Sequence, residues 1–177
     1  MSIAEKYRPA YTYEDYCQWE GRWELIEGMP YAMSPLPVPD HQRTSLKLCI
    51  LFEEALTDCK QCRVYPPLDW KMAEDTVVQP DVLIVCDKIE KKYLDFPPAL
   101  VAEILSPSTA AKDRNIKMEL YQNQGVKYYC ILDIQFKKIE IYELLDSLYR
   151  PASVNPGAFE FSLGRCIANV NFENLWE

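Results

Sequence analysis

Histidine is almost missing from this chain: His41 is the only one in 177 residues. A Ser–His–Asp or Cys–His nucleophile system would have to be built on that single ring. No Gly-x-Ser-x-Gly elbow leads into a helix to supply such a nucleophile. Glycine is scarce as well, with five residues scattered singly, so no Gly-rich loop is available to cradle phosphates. No apolar run is long enough to cross a membrane. Met1 to Ala10 carries Glu5, Lys6 and Arg8 and has no apolar signal segment. A cytoplasmic protein with no membrane partner is the expectation. Basic residues are outnumbered, 19 Lys and Arg against 27 Asp and Glu, for a formal net charge of −8. Tight non-specific binding to nucleic acid rests mainly on Lys and Arg. No basic stripe interleaved with aromatics marks an RNA-binding sheet. The acidity does not exclude a nuclease, because a site built of carboxylates is acidic and a bound cation reverses its local sign.

The remaining composition, 49% hydrophobic and 26% charged, is that of a globular protein. The length suits one domain over residues 1–177. Cysteine is plentiful: Cys17, Cys49, Cys59, Cys62, Cys86, Cys130 and Cys166. Cys86 and Cys130 sit in apolar, strand-like runs and read as small buried hydrophobes. Only Cys59-Lys-Gln-Cys62 has the spacing of a metal or redox pair. A zinc site there lacks obvious further ligands to complete four-coordination. A redox pair calls for a helix start after its first cysteine, where a strand is expected instead. Free thiols in a reducing compartment are the simpler expectation.

The chain opens with Thr12-Tyr-Glu-Asp15, the form of a capped helix start, and a short helix to about Trp19. Trp23 to Ile26 and Met29 to Met33 form a hairpin around Glu27-Gly28. The proline-dense segment Ser34 to Asp40 is a loop that delivers Asp40 as N-cap of a helix over about His41 to Thr57. Its apolar face is expected from Leu46, Cys49, Ile50, Phe52 and Leu56. Strand pieces follow at Arg63 to Tyr65, Leu68 to Met72 and Val77 to Cys86, then Ala99 to Leu105. Ser108 or Thr109 can cap a helix over Ala110 to Asn123, which stops before Gly125. Tyr128 to Asp133, Lys138 to Tyr142 and Ala158 to Ser162 complete the strands. The fold class expected is α/β in the broad sense, a mixed sheet flanked by helices.

Two carboxylates stand out. Glu103 interrupts the apolar run Leu100 to Leu105, and Asp81 follows Pro80 and opens the run Val82 to Val85. A charged group on a covered strand is costly unless something cationic joins it. Each has a plainer reading: Glu103 as an edge-strand charge in solvent, Asp81 as a turn residue. Asp113, Lys117 and Tyr121 recur at helical spacing on one face, either as an exposed ion pair or as a lysine folded back over the strand end. A divalent metal together with Lys117 would neutralise the two carboxylates, as in metal-assisted phosphodiester hydrolysis. His41, behind the Pro-rich loop, is a cap-region residue or a ligand. Glu24 points either into the same cleft or to solvent.

Several stretches carry a resemblance. Trp23-Glu-Leu-Ile-Glu-Gly28, Ser34-Pro followed by His41, and Pro80-Asp81-Val are three of them. The others are Val101-Ala-Glu-Ile-Leu-Ser-Pro-Ser-Thr109 and Asp113-x-x-x-Lys117-x-x-x-Tyr121-x-x-x-Gly125-Val126. From about Thr12 to Tyr142 the chain resembles the Uma-two family of endonucleases, of the restriction-endonuclease-like superfamily. The resemblance implies an αβββαβ-type core and the motif PD-(D/E)XK. It makes Asp81 and Glu103 metal-binding carboxylates, with the backbone carbonyl of Ile104 as a further ligand. The superfamily's lysine normally lies two residues after the glutamate, a position held here by Leu105. Lys117 resembles a lysine that has migrated to the following helix.

The expected protein is thus a Mg²⁺- or Mn²⁺-dependent endonuclease acting on DNA. Asp81, Glu103 and Lys117 carry the reaction, while Glu24, His41 and Asp113 shape the site. The rival is an interaction module that keeps the nuclease fold without activity. An RNA-directed hydrolase would differ only in substrate. A homodimer is expected if both strands of a duplex are cut, with Phe172, Leu175 and Trp176 as contacts unless they pack on their own domain.

Overall fold

The computed structural model describes residues 8–33, 38–107 and 109–177. Most of the Ser34–Asp40 loop and the alternative cap Ser108 lie outside the described residues. Helix α1 is Tyr13–Tyr16, started by a complete capping box between Thr12 and Asp15. Strands β1 (Trp23–Ile26) and β2 (Met29–Ala32) pair as the expected hairpin. Helix α2 runs Pro39–Ala55. Its N-cap is Val38, not Asp40, because Pro39 takes the first helical position, where its missing N–H costs nothing. The buried stripe of α2 is His41, Thr44, Leu48 and Phe52. Leu46 and Ile50, expected in the core, are 63% and 47% exposed.

Strands β3 (Arg63–Tyr65), β4 (Trp70–Ala73), β5 (Thr76–Val78) and β6 (Val82–Val85) follow. The single strand expected over Val77 to Cys86 is therefore two. Pro80 cannot donate to a ladder, and β5 and β6 go to different sheets. Strand β7 (Leu100–Leu105) leads into helix α3 (Ala110–Lys112), a π-turn at Asp113–Lys117, and helix α4 (Met118–Gln124). Gly125, at φ 80°, ends α4 in the left-handed conformation that a glycine takes without steric cost. Five strands complete the chain: β8 (Tyr128–Asp133), β9 (Lys138–Leu145), β10 (Leu148–Val154), β11 (Ala158–Leu163) and β12 (Cys166–Asn171).

The central sheet has the order β10-β9-β8-β7-β6-β3, and a smaller sheet has the order β2-β1-β5-β4. Only β7 and β8 pair in parallel in the central sheet. Parallel neighbours need a crossover, and the α3–α4 segment is that crossover, which carries Lys117 across the sheet. This mixed sheet flanked by helices is the expected restriction-endonuclease-like core.

Period-two alternation divides the central sheet into two faces. Val82, Ile84, Leu100, Ala102 and Ile104 face one core cluster with α2 and the β11–β12 hairpin. Leu83, Val85, Val101, Tyr129 and Ile131 face the other, with Ile26, Trp70, Val78 and Tyr121. Phe172 and Leu175 are 3% and 2% exposed, and Trp176 packs beside them against the first cluster. Phe172 and Leu175 thus pack on their own domain, the alternative the sequence left open, while Trp176 is only partly buried.

Four of the expected free thiols are not free. Cys59 pairs with Cys166 and Cys62 with Cys86, leaving Cys17, Cys49 and Cys130 unbridged. The partners come from 24 and 107 residues away, so local spacing could not reveal them. No helix among the described residues is long and apolar enough to cross a membrane.

The aromatic wedge of the C-terminal hairpin tests how far it belongs to the core. Phe161 is fully buried and packs edge-to-face on Phe52 of α2, centroids 6.0 Å apart. Phe161→Ala is expected to cost about 3–5 kcal/mol, measured by urea unfolding. A loss under about 1 kcal/mol would show the hairpin to be an appendage.

Candidate active site

Strands β6 and β7 pair with Val82 opposite Ala102. One step further along that ladder places Asp81 opposite Glu103 with both side chains on the same face. Asp81 Oδ2 accepts the Ile104 N–H at 2.8 Å. His41 Nε2, from the first turn of α2, lies 3.2 Å from the same oxygen and 3.1 Å from the Ile104 carbonyl. Both neighbours are acceptors, so Nε2 carries the proton. His41 Nδ1 has no hydrogen-bond partner among the described residues. Burial opposes a charge on this ring, but the hydrogen bond and charge of Asp81, with the Ile104 carbonyl, outweigh it and hold the imidazole above its usual range.

The second half of the site gathers on Lys117. Its Nζ lies 2.7 Å from Glu24 Oε1, 2.9 Å from Glu103 Oε1 and 3.6 Å from Asp113 Oδ1, with the side chain 2% exposed. The Tyr121 hydroxyl donates to the same Glu103 oxygen at 2.6 Å. Lys112 pairs with Glu24 Oε2, and the Gln79 N–H donates to Glu24 Oε1 at 3.1 Å. Gln79 is itself held by Arg22, Tyr16 and Asp69. Glu24 stands on β1 of the smaller sheet, so this cluster also joins the two sheets.

The π-turn explains how one carboxylate meets two lysines. In a regular α-helix, residues five apart point about 140° away from each other. The wider π-turn closes i to i+5 and lets Lys112 and Lys117 reach the same Glu24. The Tyr129 hydroxyl donates to the Asp113 carbonyl at 2.9 Å and braces the turn.

Electrostatics follows from these contacts. Burial pushes the Glu103 carboxyl well up; Lys117 opposes this, while Asp113, Asp81 and Glu24 add to it. Burial likewise raises Asp113. Burial alone would lower Lys117, but Glu103, Glu24 and Asp113 together hold it well above the ordinary lysine range. Burial would raise Glu24, yet Lys117 and Lys112 overcome that and hold it below the ordinary range. With all groups ionised, the four carboxylates Glu24, Asp81, Glu103 and Asp113 face two ammoniums, Lys112 and Lys117, and the His41 imidazolium. One negative charge is left over; bound protons, or a divalent cation beside a neutral His41, would remove it. Oxygens from Asp81, Glu103 and the Ile104 carbonyl form a hard donor set suited to Mg²⁺ or Mn²⁺, so the residues fit such an ion. A cavity of about 600 Å³ opens on this edge, lined among others by Arg22, His41, Asp81, Glu103, Lys112 and Lys117.

Asp81, Glu103, Ile104, Lys117, Glu24, His41 and Asp113 all lie in or beside this cluster. Asp81, Ile104 and His41 converge on one point. Glu103, Glu24 and Asp113 converge on Lys117. Glu24 is fully buried behind the lysines and does not line the cavity. Lys112 and Gln79 are contributors that the sequence does not flag, since neither has a diagnostic spacing. Only the π-turn and the pairing of β1 with β5 bring them in.

A mixed sheet whose neighbouring central strands bear Asp81 and Glu103 at one end, with Lys117 reaching Glu103 from the crossover, is the restriction-endonuclease-like arrangement that the sequence led one to expect. A "putative nuclease belonging to DUF820" from Anabaena variabilis has the same fold, with a TM-score of 0.74 and 14% identity. The match covers 93% of this chain and 97% of that one. An uncharacterised protein, slr1290, of Synechocystis sp. is 33% identical over 148 residues, 78% of this chain and 76% of the relative. The model of the Uma2 family, described as "Putative restriction endonuclease", matches residues 12–173. The chain belongs to the Uma2 family.

The depressed Glu24 carboxyl gives a pH test. Its contribution to stability is fully present above its ordinary value of 4.5 and is lost as pH falls through the lower folded value. Glu24→Gln should destabilise by about 3 kcal/mol at neutral pH. The gap to the unsubstituted protein should narrow in acid, followed by urea unfolding across the acid range. A gap independent of pH would mean that the Glu24 charge does not stabilise the fold.

Proposed function

We propose that this protein is a divalent-metal-dependent endonuclease that hydrolyses phosphodiester bonds of DNA. The carrying observation is the buried Lys117 ammonium, 2.9 Å from Glu103 on the strand paired with the one that Asp81 opens. That contact supports the reading of Lys117 as the motif lysine supplied from the crossover in place of position 105. Asp81, Glu103 and the Ile104 carbonyl would hold Mg²⁺ or Mn²⁺. When bound, the ion would supply Lewis-acid polarisation of the scissile phosphate and acidify a water.

The remaining chemistry belongs to the chain's own groups. Lys117, held above the ordinary lysine range, keeps its proton, so it serves as a fixed positive charge and water-orienting donor and not as a base. It stabilises charge developing on the phosphoryl oxygens. Glu24 and Asp113 fix Lys117, and Tyr121 fixes Glu103. His41 bridges the Asp81 carboxylate and the Ile104 carbonyl and would offer a nitrogen donor beside the ion. Arg22 and Lys112 on the cavity wall offset the acidity of the chain toward an anionic backbone. A double-strand cut would bring two such sites together in a homodimer; RNA is the alternative polymer.

The rival reading is an inactive interaction module. Its supporting observation is that His41 and Lys117 already satisfy the carboxylates internally. Mn²⁺ titration with cleavage of plasmid and single-stranded DNA separates the two. The nuclease requires a saturable site that Asp81→Asn abolishes. It also requires Lys117→Ala to lose at least about a hundredfold in cleavage rate with Mn²⁺ affinity nearly kept. Absence of saturable binding and of cleavage in the unsubstituted protein would leave the interaction module. Light scattering against the 20.7 kDa protomer decides the dimer.

A further inference from the structure

Four cysteines from three separate segments meet on the opposite end of β6 from Asp81. Cys59 lies in the turn after α2, its N–H donating to the Leu56 carbonyl at 2.8 Å. Cys62 immediately precedes β3, and Cys86 immediately follows β6. Because Arg63 pairs with Val85, Cys62 and Cys86 stand directly opposite each other, with Cα atoms 3.8 Å apart. Cys166 opens β12, its Cα 5.8 Å from that of Cys59. The sulfurs of Cys59, Cys62 and Cys166 all lie within 4.8 Å of one another, and the Cys86 sulfur is bonded to that of Cys62. The four therefore share one small volume.

We infer that, in the reduced chain, Cys59, Cys62, Cys86 and Cys166 form a tetrathiolate site for a zinc ion. Three observations support this over two independent crosslinks. First, Cys59 and Cys62 have the two-residue spacing with which a turn aims two sulfurs at one ion, yet each is bonded to a partner from elsewhere and not to the other. Second, the sulfurs of Cys59, Cys62 and Cys166 lie within 4.8 Å of one another, near the ~3.8 Å that zinc–sulfur bonds of about 2.3 Å set between tetrahedral sulfurs, and reduction frees the Cys86 sulfur, now bonded to that of Cys62, to turn toward the same point. Third, the surroundings suit a closed structural site. Cys59, Cys62 and Cys166 are only 9%, 5% and 9% exposed and belong to the apolar cluster under α2. Four thiolates around Zn²⁺ leave a net dinegative charge. Of the exposed charges adjacent in sequence to a ligand, Lys60, Arg63 and Arg165 outnumber Asp58 and Asp87 and offset part of it.

The chemistry balances without a hidden reactant. Each disulfide takes two electrons and two protons from an external dithiol to give two thiols. Zn²⁺ then displaces the four thiol protons to solvent. The bound ion would tie the end of α2, the β3–β6 sheet edge and the C-terminal hairpin to one point. The site is independent of the nuclease reading, since it shares no residue with Asp81, Glu103 or Lys117.

The test is metal content of the full chain, purified under reducing conditions with ZnCl₂, together with cobalt substitution. The expected result is one zinc per chain and a Co²⁺ spectrum with thiolate charge-transfer and intense tetrahedral d–d bands. Asp81→Asn and the Cys17→Ser, Cys49→Ser double variant should keep both. Cys59→Ser, Cys166→Ser should lose zinc at least tenfold. Because that variant could unfold, the cobalt spectrum of the unsubstituted chain is decisive. A reduced, folded chain that takes up neither ion overturns the site, as does zinc retained without the cobalt–thiolate bands.

Discussion

One ammonium group, buried among three carboxylates, is the constraint on which the rest of the molecule turns. Lys117 holds Glu24 from the smaller sheet, Glu103 from the central sheet and Asp113 from its own crossover. Removing the lysine charge would leave carboxylates without solvent and without a counter-ion, a far larger cost than that of any surface pair. The two sheets, the crossover and the candidate active site are thus fastened by the same contact. Lys117 therefore serves the packing of the chain as well as its candidate active site.

The central ladder was readable because its residues alternate. Leu100 to Leu105 is apolar on both sides of Glu103, which marks a strand covered on both faces and makes its one charge conspicuous. Asp81 was readable from the same logic, and the Asp113, Lys117, Tyr121 series from helical spacing. Other parts were illegible for physical reasons. Leu46 and Ile50 look like core residues by period, but α2 is rotated so that His41, Thr44, Leu48 and Phe52 face the sheet. The break between β5 and β6 is written only in Pro80, which is compatible with an edge strand as well. Strands β10 and β12 carry alternating exposed residues on sheets with one wet side, a weak signal next to the buried strands. Lys112 joins the site through a helical irregularity that no spacing rule announces, and the cysteine partners lie too far apart in sequence for local reading.

Strand β6 is unusual in being four residues long with chemistry at each end. Asp81 precedes it and Cys86 follows it, about 17 Å apart in an extended chain. The strand itself is fully buried, so it transmits position between its ends as a rigid rod rather than as a flexible tether. The candidate active site and the cysteine cluster thus stand at the two ends of one buried strand.

The π-turn at Asp113–Lys117 constrains how this chain can change over evolutionary time. An inserted residue in a helix is what widens a turn to i to i+5 closure. Deleting one residue between Lys112 and Lys117 would restore regular α-geometry and swing everything beyond it by about 100°. Lys117 and Tyr121 would then leave Glu103 together, while the apolar face of α4 would leave Tyr129 and Trp70. Substitutions around the site can be absorbed one at a time. A change in length within these five residues moves every side chain beyond it at once.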